Sequence, residues 1–524
     1  MDLRTDNLGH FFTGTAARLP DKIALIDLLA GERRRSYREL DARCEAVAAL
    51  AVTQGLKPGD RAALALGNRI EFIEIFFGLM RVGVVPVPLN VKQTPAALSF
   101  MMSDAGCRAA FVDRDAAEDA IGVVDDLKLP VRISFGKAPA GWTEFEPALA
   151  AMAGERVTPA LSPDGIAFQP YTAGSTGKPK GVRLTHRGML WSIRTTQERW
   201  PIDAAEVGLV AVPLFHKNAM RGTIKPMLYA GGTAVIMPRF EPVGFVKALA
   251  DHGVTFSGGV PALFSMLLQH RDVIAAHRFP ALQSFSLGSA VVPPELIAEI
   301  ERAFPGVSVK ESYGLTEGGG PLRAPTDGRK IPRGSAGVAA EGYEVKLVDP
   351  DTGVEGRRGE LWTRSPCVTD GYHNRADLTR ERIIDGWLRT GDLFSVDDNG
   401  FFFFLGRTDD MFSCGGENIY PKEVENLIMS HPAVRDAYCT SVPHAVKGLA
   451  PGVIVVVKQG EAVTPDEIRR YALEHGPAYA HPRVVLITDT LPLSGAGKVD
   501  RQRARMLLES VQAGTDESSS ARAR

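Results

Sequence analysis

The sequence predicts an α/β protein in which a large N-terminal domain, made of α/β subdomains and a small β-rich subdomain, precedes a small α+β C-terminal domain. Two observations support this prediction. Short apolar runs alternate with helical stretches along most of the chain, which favours mostly parallel sheets covered on both faces. From Gly337 onward the pattern changes to paired strands with Pro-Asp and Gly turns, which is typical of antiparallel hairpins.

The composition is that of an ordinary globular protein. The 524 residues are 44% hydrophobic and 23% charged, with a formal net charge of -2, which suits two or three domains with a large core. A near-neutral charge disfavours a nucleic-acid partner. Five scattered cysteines without a C-x-x-C spacing predict reduced thiols and a cytoplasmic location. The apolar runs are far shorter than the roughly 18 to 20 residues of a membrane span.

The elements of the N-terminal part follow from its apolar periodicity. Helical spacing is present in SYRELDARCEAVAALAVTQ, IEFIEIFFGLMRVG and PALFSMLLQH. Short buried strands are predicted in RAALALG, VVPVPLN, GIAFQPY, VGLVAVPL, GTAVIMP, VTFSGGVP and SFSLGSA.

The C-terminal part predicts a separate domain. GYEVKLVDPDTG and RGELWTRS are typical of hairpins, and PKEVENLIMSHPAV, GVIVVVK, TPDEIRRYALEH and RVVLITD form a helix, strand, helix, strand series. We expect domains at residues 1–407 and 408–511. The remaining residues, 512–524, are poor in apolar side chains and are expected to be disordered.

The stretch YTAGSTGKPKGV, from Tyr171 to Val182, predicts a phosphate-binding loop. A predicted strand precedes it, and its glycines, hydroxyls and lysines are the groups that loops offer to phosphates. It is not a Walker loop, because Thr172 replaces the first glycine and Pro179 replaces the magnesium-binding hydroxyl. The alternative is a surface linker.

Further motifs follow in order: VPLFHKNAM, YGLTE, RTGDL, GRTDDMFSCGGENIYPKEVE and PLSGAGKVDR. Together with the loop they resemble the adenylate-forming superfamily, in its acyl-CoA and aryl-CoA synthetase branch, over residues 10 to 505. One of these motifs alone would carry little weight. The resemblance implies that a small-molecule carboxylic acid attacks the α-phosphorus of ATP, that acyl-AMP forms, and that coenzyme A then accepts the acyl group. ATP, Mg²⁺ and coenzyme A are the implied cofactors.

The resemblance assigns roles to residues of this chain. Lys498 would contact the carboxylate and the α-phosphate, Thr316 the α-phosphate, Glu317 the Mg²⁺, and His216 would flank the carboxylate. The ATP- and AMP-binding set comprises Thr172, Gly174, Ser175, Thr176, Gly177, Lys180, Gly288, Ser289, Ala290, Tyr313, Gly314, Asp392 and Arg407. Three of these residues also have a purely structural interpretation. Asp392 in TGD could simply form a turn, and Tyr313 or His216 could simply be a core residue.

The second half-reaction would use other residues. Relatives rotate a mobile C-terminal domain about a residue that corresponds to Asp409, and Gly415, Gly416 and Glu417 would then line a channel for coenzyme A. Two departures from the family pattern, Leu493 before the final lysine motif and the segment VPHAVKGLAPG, make the acceptor less certain than the adenylation.

The sequence predicts the class of the substrate acid but not its identity. VPLFHKNAM carries no carboxylate to hold an amino group, which disfavours an amino acid substrate. Phe215, Met220 and Gly318 are candidate walls of the acyl pocket, with Gly314 and the glycines 318–320, and glycines would leave room for an aryl, cinnamate-like or other bulky or fatty acid. Two alternatives remain: an acyl-AMP ligase that loads a carrier protein, and a nucleotide-binding or scaffold protein without catalysis. The oligomeric state, monomer or homodimer, is not predicted.

Overall fold

The structure is a computed structural model that describes residues 6–29, 31–157, 159, 161–172, 178–200, 202–288, 292, 294–414, 417–444, 447–478, 480–493 and 499–522. The chain divides into two compact units. The first comprises Met1–Ile331, Gly337–Val345 and Thr363–Arg389, and the second comprises Pro332–Ala336, Lys346–Trp362 and Thr390–Arg524. The β-rich stretch after Gly337 therefore contributes to both units.

The α-helices are Thr13–Arg18, Tyr37–Thr53, Ile70–Arg81, Pro95–Ala105, Glu118–Asp126, Phe145–Ala150, His186–Arg199, Lys217–Ala219, Lys225–Ala230, Pro242–Asp251, Pro261–Leu267, Arg271–Ala275, Pro294–Ala303, Ala376–Arg382, Pro421–Met429, Pro465–His475 and Arg501–Arg522. Short 3-10 helices are Leu8–His10, Leu268–His270 and Thr408–Asp410, and a π-helix spans Met220–Ile224.

The strands are Ile23–Asp27, Arg33–Ser36, Arg61–Ala65, Val85–Pro88, Cys107–Asp113, Val131–Phe135, Thr143–Glu144, Ile166–Phe168, Tyr171–Thr172, Lys180–Gly181, Leu184–Thr185, Val207–Val210, Thr233–Ile236, Phe256–Gly259, Ser284–Gly288, Ser308–Leu315, Gly319–Arg323, Ser335–Ala339, Glu344–Val348, Glu355–Gly356, Arg358–Arg364, Ile383–Ile384, Trp387–Val396, Phe402–Arg407, Phe412–Cys414, Glu417–Ile419, Val434–His444, Gly448–Val457 and Val484–Thr488. The predicted α/β class is confirmed.

The first unit contains two parallel sheets. In the larger one the strands lie in the order Ile23–Asp27, Thr233–Ile236, Val207–Val210, Phe256–Gly259, Ser284–Gly288, Ser308–Leu315, and each neighbouring pair is parallel. In the smaller one Val85–Pro88, Arg61–Ala65, Cys107–Asp113, Val131–Phe135 and Thr143–Glu144 are likewise parallel. Because parallel strands need crossover connections, the helices between them cover both faces.

The helix Ile70–Arg81 shows how the apolar pattern builds this core. All of its residues are buried, and its charged residues Glu71, Glu74 and Arg81 are ion-paired. It packs against the helix Tyr37–Thr53, which begins with a capping box in which Ser36 and Glu39 satisfy each other's backbone N–H groups. The first unit is therefore a rigid support for the loops at the ends of its strands.

The second unit is built on a sheet in which Phe412–Cys414, Gly448–Val457 and Val434–His444 are neighbouring antiparallel strands. Val484–Thr488 adds to it in parallel with Gly448–Val457. Buried apolar side chains of the helices Pro421–Met429 and Pro465–His475 pack on the same core. This is the α+β arrangement that the sequence predicts.

The last helix is Arg501–Arg522. The helix is anchored by the buried side chains of Ala504 and Leu508, and after Gly514 no glycine or proline interrupts it, so propagation adds one hydrogen bond per residue.

Within the described part of the chain, no helix is both long enough and apolar enough to cross a membrane. All five cysteines are buried and none forms a disulfide bond.

Candidate active site

Most of the predicted site residues of the first unit lie at one edge of its larger sheet. Phe215 and His216 follow the strand Val207–Val210, Gly288 ends Ser284–Gly288, and Tyr313 lies near the end of Ser308–Leu315. The carboxyl ends of parallel strands meet at the same edge, where ligands of open α/β sheets bind. Gly288 pairs with Ser312 across the two neighbouring strands.

The predicted phosphate loop is closed by a short hairpin. Tyr171–Thr172 pairs in antiparallel fashion with Lys180–Gly181, with Thr172 opposite Lys180. The segment after this hairpin is attached to the residues around Tyr372, because Val182 forms a β-bridge with Tyr372. The strand before the loop and the strand after it therefore hold its two ends in place.

Glu317 lies in the turn between the antiparallel strands Ser308–Leu315 and Gly319–Arg323. Its Oε1 accepts a hydrogen bond from the Thr172 hydroxyl at 3.5 Å and from the Tyr372 hydroxyl at 3.3 Å. Its carbonyl accepts from the Thr369 amide at 2.7 Å. The Lys180 Nζ lies 5.4 Å from the centre of the Tyr372 ring, a cation–π distance. Thr172, Lys180 and Glu317, which are far apart in sequence, thus form one cluster.

The segment that carries Phe215 and His216 packs directly against the YGLTE turn. The two rings lie 4.4 Å apart between centroids. The next residue, Lys217, is buried, and its Nζ donates to the Thr316 carbonyl at 2.5 Å. Met220 is buried as well and begins the π-helix Met220–Ile224, a distortion that is frequent at functional sites.

Burial dominates the electrostatics of this segment. It lowers the pKa of Lys217 to about 8, with the nearby Cys367 opposing and the positive charge of Arg221 adding to the effect. It lowers the pKa of Lys225 to about 7, with contributions from the positive charges of Lys217 and Arg221. Strongly shifted lysines near a cleft are typical of functional sites.

Gly318, a predicted wall of the acyl pocket, is tightly enclosed by neighbouring side chains. It is buried, and a Cβ at this position would lie 2.8 Å from a Leu388 methyl carbon and 3.2 Å from a Thr363 methyl carbon. Packing against these two side chains explains why the residue is glycine.

The second unit contains another group of predicted residues. Asp392 lies on the strand Trp387–Val396 directly opposite Arg407, and Arg407 Nη1 lies 3.2 Å from Asp392 Oδ1. Arg407 Nη2 lies 3.6 Å from Asp409 Oδ2. The Asp392 amide donates to the Thr390 hydroxyl at 3.1 Å, and the Gly391 amide donates to the buried carboxylate of Glu360 at 2.8 Å. The carboxylate of Asp392 is thus buried and held on a paired strand.

The predicted hinge residue, Asp409, lies in the short 3-10 helix Thr408–Asp410 between the strands Phe402–Arg407 and Phe412–Cys414. Glu417 begins the strand Glu417–Ile419 and pairs with Cys414. The predicted site residues that lie outside the described part of the chain are Gly174, Ser175, Thr176, Gly177, Ser289, Ala290, Gly415, Gly416 and Lys498.

Two side chains of this cluster were missed by the sequence analysis. Tyr372 holds Glu317 and contacts Lys180, and Lys217 holds the backbone of Thr316. Tyr372 belongs to no motif, so its role depends on tertiary structure alone. Lys217 carried a signal, because a charged residue inside an otherwise apolar segment needs a partner when it is buried.

The chain is similar to known enzymes over most of its length. Residues 12–373 match the AMP-binding enzyme family, and residues 423–498 match the AMP-binding enzyme C-terminal domain. The chain is 30% identical to a feruloyl-CoA synthase from Amycolatopsis sp, over 96% of this chain and 99% of the relative. It is 32% identical to a long-chain-fatty-acid–CoA ligase from Escherichia coli O157:H7, over 96% and 94% of the two chains.

Among solved structures, the crystal structure of ATP-bound MatB from Rhodopseudomonas palustris superposes with a TM-score of 0.86 at 27% identity, and covers 96% of this chain and 99% of that one. The expected large N-terminal and small C-terminal domains are confirmed by these matches. The alternative of a ligase that loads a carrier protein is not favoured, since the relatives are named as CoA ligases or synthases. The chain belongs to the AMP-binding enzyme family and is an AMP-forming acyl-CoA synthetase.

Proposed function

We propose that this synthetase activates an aryl, cinnamate-like or other bulky or fatty acid, with Thr172, Lys180 and Glu317 acting at the phosphates of ATP. The observation that carries the proposal is the Glu317 carboxylate, which accepts hydrogen bonds from Thr172 and Tyr372 at the base of the lysine-bearing hairpin. The relatives named for feruloyl, long-chain fatty acyl and 4-coumarate substrates support the acid class.

The reaction has two balanced steps. The acid carboxylate attacks the α-phosphorus of ATP, so an oxygen–phosphorus bond forms and the bond to pyrophosphate breaks. The thiolate sulfur of coenzyme A then attacks the acyl carbonyl and AMP leaves. Negative charge accumulates around the α-phosphorus in the first step, and prearranged cations and N–H groups lower its barrier. Lys180 would neutralise phosphate charge while Thr172 donates to a phosphate oxygen.

Glu317 is suited to Mg²⁺. A carboxylate oxygen is a preferred ligand of this ion, which usually takes one or two carboxylates and completes its shell with phosphates and water. When bound, the ion would neutralise charge on the phosphates.

The remaining roles are proposed from the motifs. Asp392 would accept hydrogen bonds from both ribose hydroxyls, with the guanidinium of Arg407 paired beside it. His216 would flank the acid carboxylate. We propose domains at 1–407 and 408–511, with Asp409 as the hinge and Lys498 as the lysine that contacts the carboxylate and the α-phosphate. A cytoplasmic location fits the buried, unpaired cysteines.

The substrate class is tested by supplying the full chain with ATP, Mg²⁺, coenzyme A and a panel of benzoates, cinnamates and fatty acids. Pyrophosphate release and formation of an acyl thioester are measured together. Thioester formation with at least one of these acids is expected. Pyrophosphate release without thioester would point to another acceptor, and no release with any acid would contradict the proposal.

The role of Glu317 is tested with Glu317→Gln, and the exposed Glu295 on the helix Pro294–Ala303 offers a matched control, Glu295→Gln. Loss of a well-placed charge at the phosphates costs on the order of 3 kcal/mol, about a hundredfold in rate. We expect pyrophosphate release to fall to that extent in the first variant alone. Equal rates in both variants would exclude the assignment.

The proposed roles of Lys498 and Asp409 belong to different half-reactions and are tested separately. Lys498→Ala should abolish ATP–pyrophosphate exchange and leave ATP binding nearly unchanged, and the exposed Lys57 provides the control Lys57→Ala. Asp409→Pro should slow thioester formation and spare adenylation. Normal exchange in Lys498→Ala, or equal loss of both steps in Asp409→Pro, would contradict these roles.

A further inference from the structure

Five cations of the first unit lie together beside the proposed acyl pocket. We call Arg199, Lys217, Arg221, Lys225 and Arg323 the cationic cluster. Lys217, Arg221 and Lys225 recur at intervals of four residues along one segment that includes the π-helix Met220–Ile224. The positive charge of Arg221 lowers the pKa of both Lys217 and Lys225, so the three side chains lie close together.

Arg221 reaches the walls predicted for the acyl pocket. A Cβ built on Gly320 would lie 1.7 Å from Arg221 Nη2, and one built on Gly314 would lie 2.8 Å from Nη1. The guanidinium therefore lies directly against the backbone of the strands on either side of the YGLTE turn. The glycines at these two positions make room for this side chain rather than for a bulky apolar group.

The other two arginines border the same place. Arg323 is on the strand Gly319–Arg323 with Gly320, and burial together with the positive charges of Arg199 and Arg221 lowers its pKa to about 10. The Arg199 guanidinium lies 5.8 Å from the centre of the Tyr343 ring, and the Tyr343 hydroxyl accepts from the Gly320 amide at 3.1 Å. The five positive groups are thus linked through Gly320 and its neighbours.

The cluster lacks counter-ions. Among the residues that the structure describes, no carboxylate oxygen lies within 4.0 Å of a charged nitrogen of any of the five. The acidic groups that face them are Glu317 near Lys217, and Glu198 and Glu341 near Arg199. Glu198 and Glu341 are exposed, and Tyr343 is neutral because burial raises its pKa.

Such an arrangement is costly without an anion. Lys225 is 2% exposed, and its nearest recorded polar contact is the Met189 sulfur at 4.0 Å. Buried charges in proteins are almost always paired or bind a ligand. The reacting carboxylate can neutralise one positive charge at most, and its proposed position is near His216 and Thr316.

We infer that the acyl pocket of this enzyme takes an acid with a second anionic group, a dicarboxylic acid, whose non-reacting carboxylate is bound by Arg221 with Arg199 and Arg323. This inference rests on the proposed function, because it assigns the cluster to the acyl pocket of an acid-activating enzyme. It adds a requirement to the proposed acid class, a second carboxylate, which the names of the relatives do not specify. A guanidinium suits this role because it binds a carboxylate with two parallel hydrogen bonds.

The test compares acids that differ in the negative charge of the non-reacting carboxylate. Dicarboxylic acids of three to eight carbons and the benzenedicarboxylic acids are each paired with their monoamides, and kcat/KM for pyrophosphate release is measured. For the preferred acid we expect a ratio of about 100 or more in favour of the diacid, since loss of one partner of a buried charge pair has effects of this order. Monoamides or simple monoacids that react as well as any diacid would overturn the inference.

Substitutions of single arginines test whether Arg221 causes the preference for the diacid. Arg221→Gln should lower kcat/KM for the diacid by about 100-fold and that for the monoamide by less than about threefold. Arg221→Lys should recover part of the activity. Arg194, exposed on the same helix as Arg199, supplies the control Arg194→Gln, which should keep the wild-type ratio.

The outcomes separate this inference from the proposed function. An enzyme that uses monoacids efficiently and ignores diacids keeps the proposed function and loses the inference. An enzyme that releases no pyrophosphate with any acid loses both. A rise in the KM for ATP in Arg221→Gln, equal for every acid, would assign the cluster to the phosphates and contradict the inference.

Discussion

Arg81 and Lys225 are both buried cations of the first unit, and their surroundings are opposite. Arg81 is 0% exposed, and its guanidinium lies 2.5 Å from an Asp41 oxygen and 2.6 Å from a Glu45 oxygen. Lys225 is nearly as deeply buried, and no carboxylate of the described residues lies within ion-pair distance. One cation is neutralised by the fold, and the other is not.

The same contrast holds for whole groups of residues. Burial would raise the pKa of Glu71, but hydrogen bonds and positive charge from Arg33 and Arg69 lower it to about 2. Arg69 also lies 3.0 Å from Asp113. Among the residues that the structure describes, none forms such a network with the cationic cluster. Where a fold supplies counter-ions to its other buried cations, a set without them indicates a ligand that brings the negative charge.

The largest expected change in the free energy of unfolding comes from removing Arg81 from its ion pairs with Asp41 and Glu45. Arg81→Met leaves the carboxylates of Asp41 and Glu45 without their cation in a largely buried position, and such a change commonly costs about 3–5 kcal/mol. The free energy of unfolding, from urea titration, should fall by that amount. The exposed Arg38, paired with Asp21, gives the control Arg38→Met, which should leave the urea midpoint unchanged. A stability of Arg81→Met equal to wild type would show that the pairs contribute nothing.

The contribution of Lys225 to the free energy of unfolding should depend on pH. Burial lowers the pKa of Lys225 from 10.5 to about 7, so between these values the unfolded chain binds a proton that the folded chain does not. The free energy of unfolding therefore rises with pH across this window. Between pH 7 and pH 9 the wild type should gain on the order of 2 kcal/mol more than Lys225→Met.

The exposed Lys247 on the helix Pro242–Asp251 is the matched control for this pH comparison. Lys247→Met should keep the pH dependence of the wild type. If Lys225→Met keeps it too, Lys225 is not the group that loses its proton on folding.

The smallest effect is expected at the surface. Arg43 Nη2 lies 2.7 Å from an oxygen of Glu146, whose side chain is 53% exposed. Exposed pairs contribute little, because water screens them and two long side chains lose freedom when they pair. Glu146→Gln should change the free energy of unfolding by less than about 1 kcal/mol, measured by urea titration. A loss as large as that of Arg81→Met would remove the distinction between buried and exposed pairs.

The sequence predicted the parallel strands well, since an apolar run between two helical stretches has few other structures available. It also predicted that Thr172, Lys180 and Glu317 belong to one site, because their motifs resemble those of a family. It did not predict Tyr372, which contacts Glu317 from 55 positions further along the chain through tertiary packing alone. Nor did it predict the position of Arg221, which lies inside the π-helix Met220–Ile224, because no local sequence pattern announces a π-helix.

A crystal structure of the full chain with ATP, Mg²⁺ and the diacid that it uses most efficiently, trapped as the acyl-adenylate, tests most directly whether Arg221 binds the second carboxylate of the substrate. We expect the non-reacting carboxylate within 4 Å of the Arg221 guanidinium, the usual ion-pair limit. A free carboxylate that points into solvent, with Arg221 still lacking an anion, would contradict it.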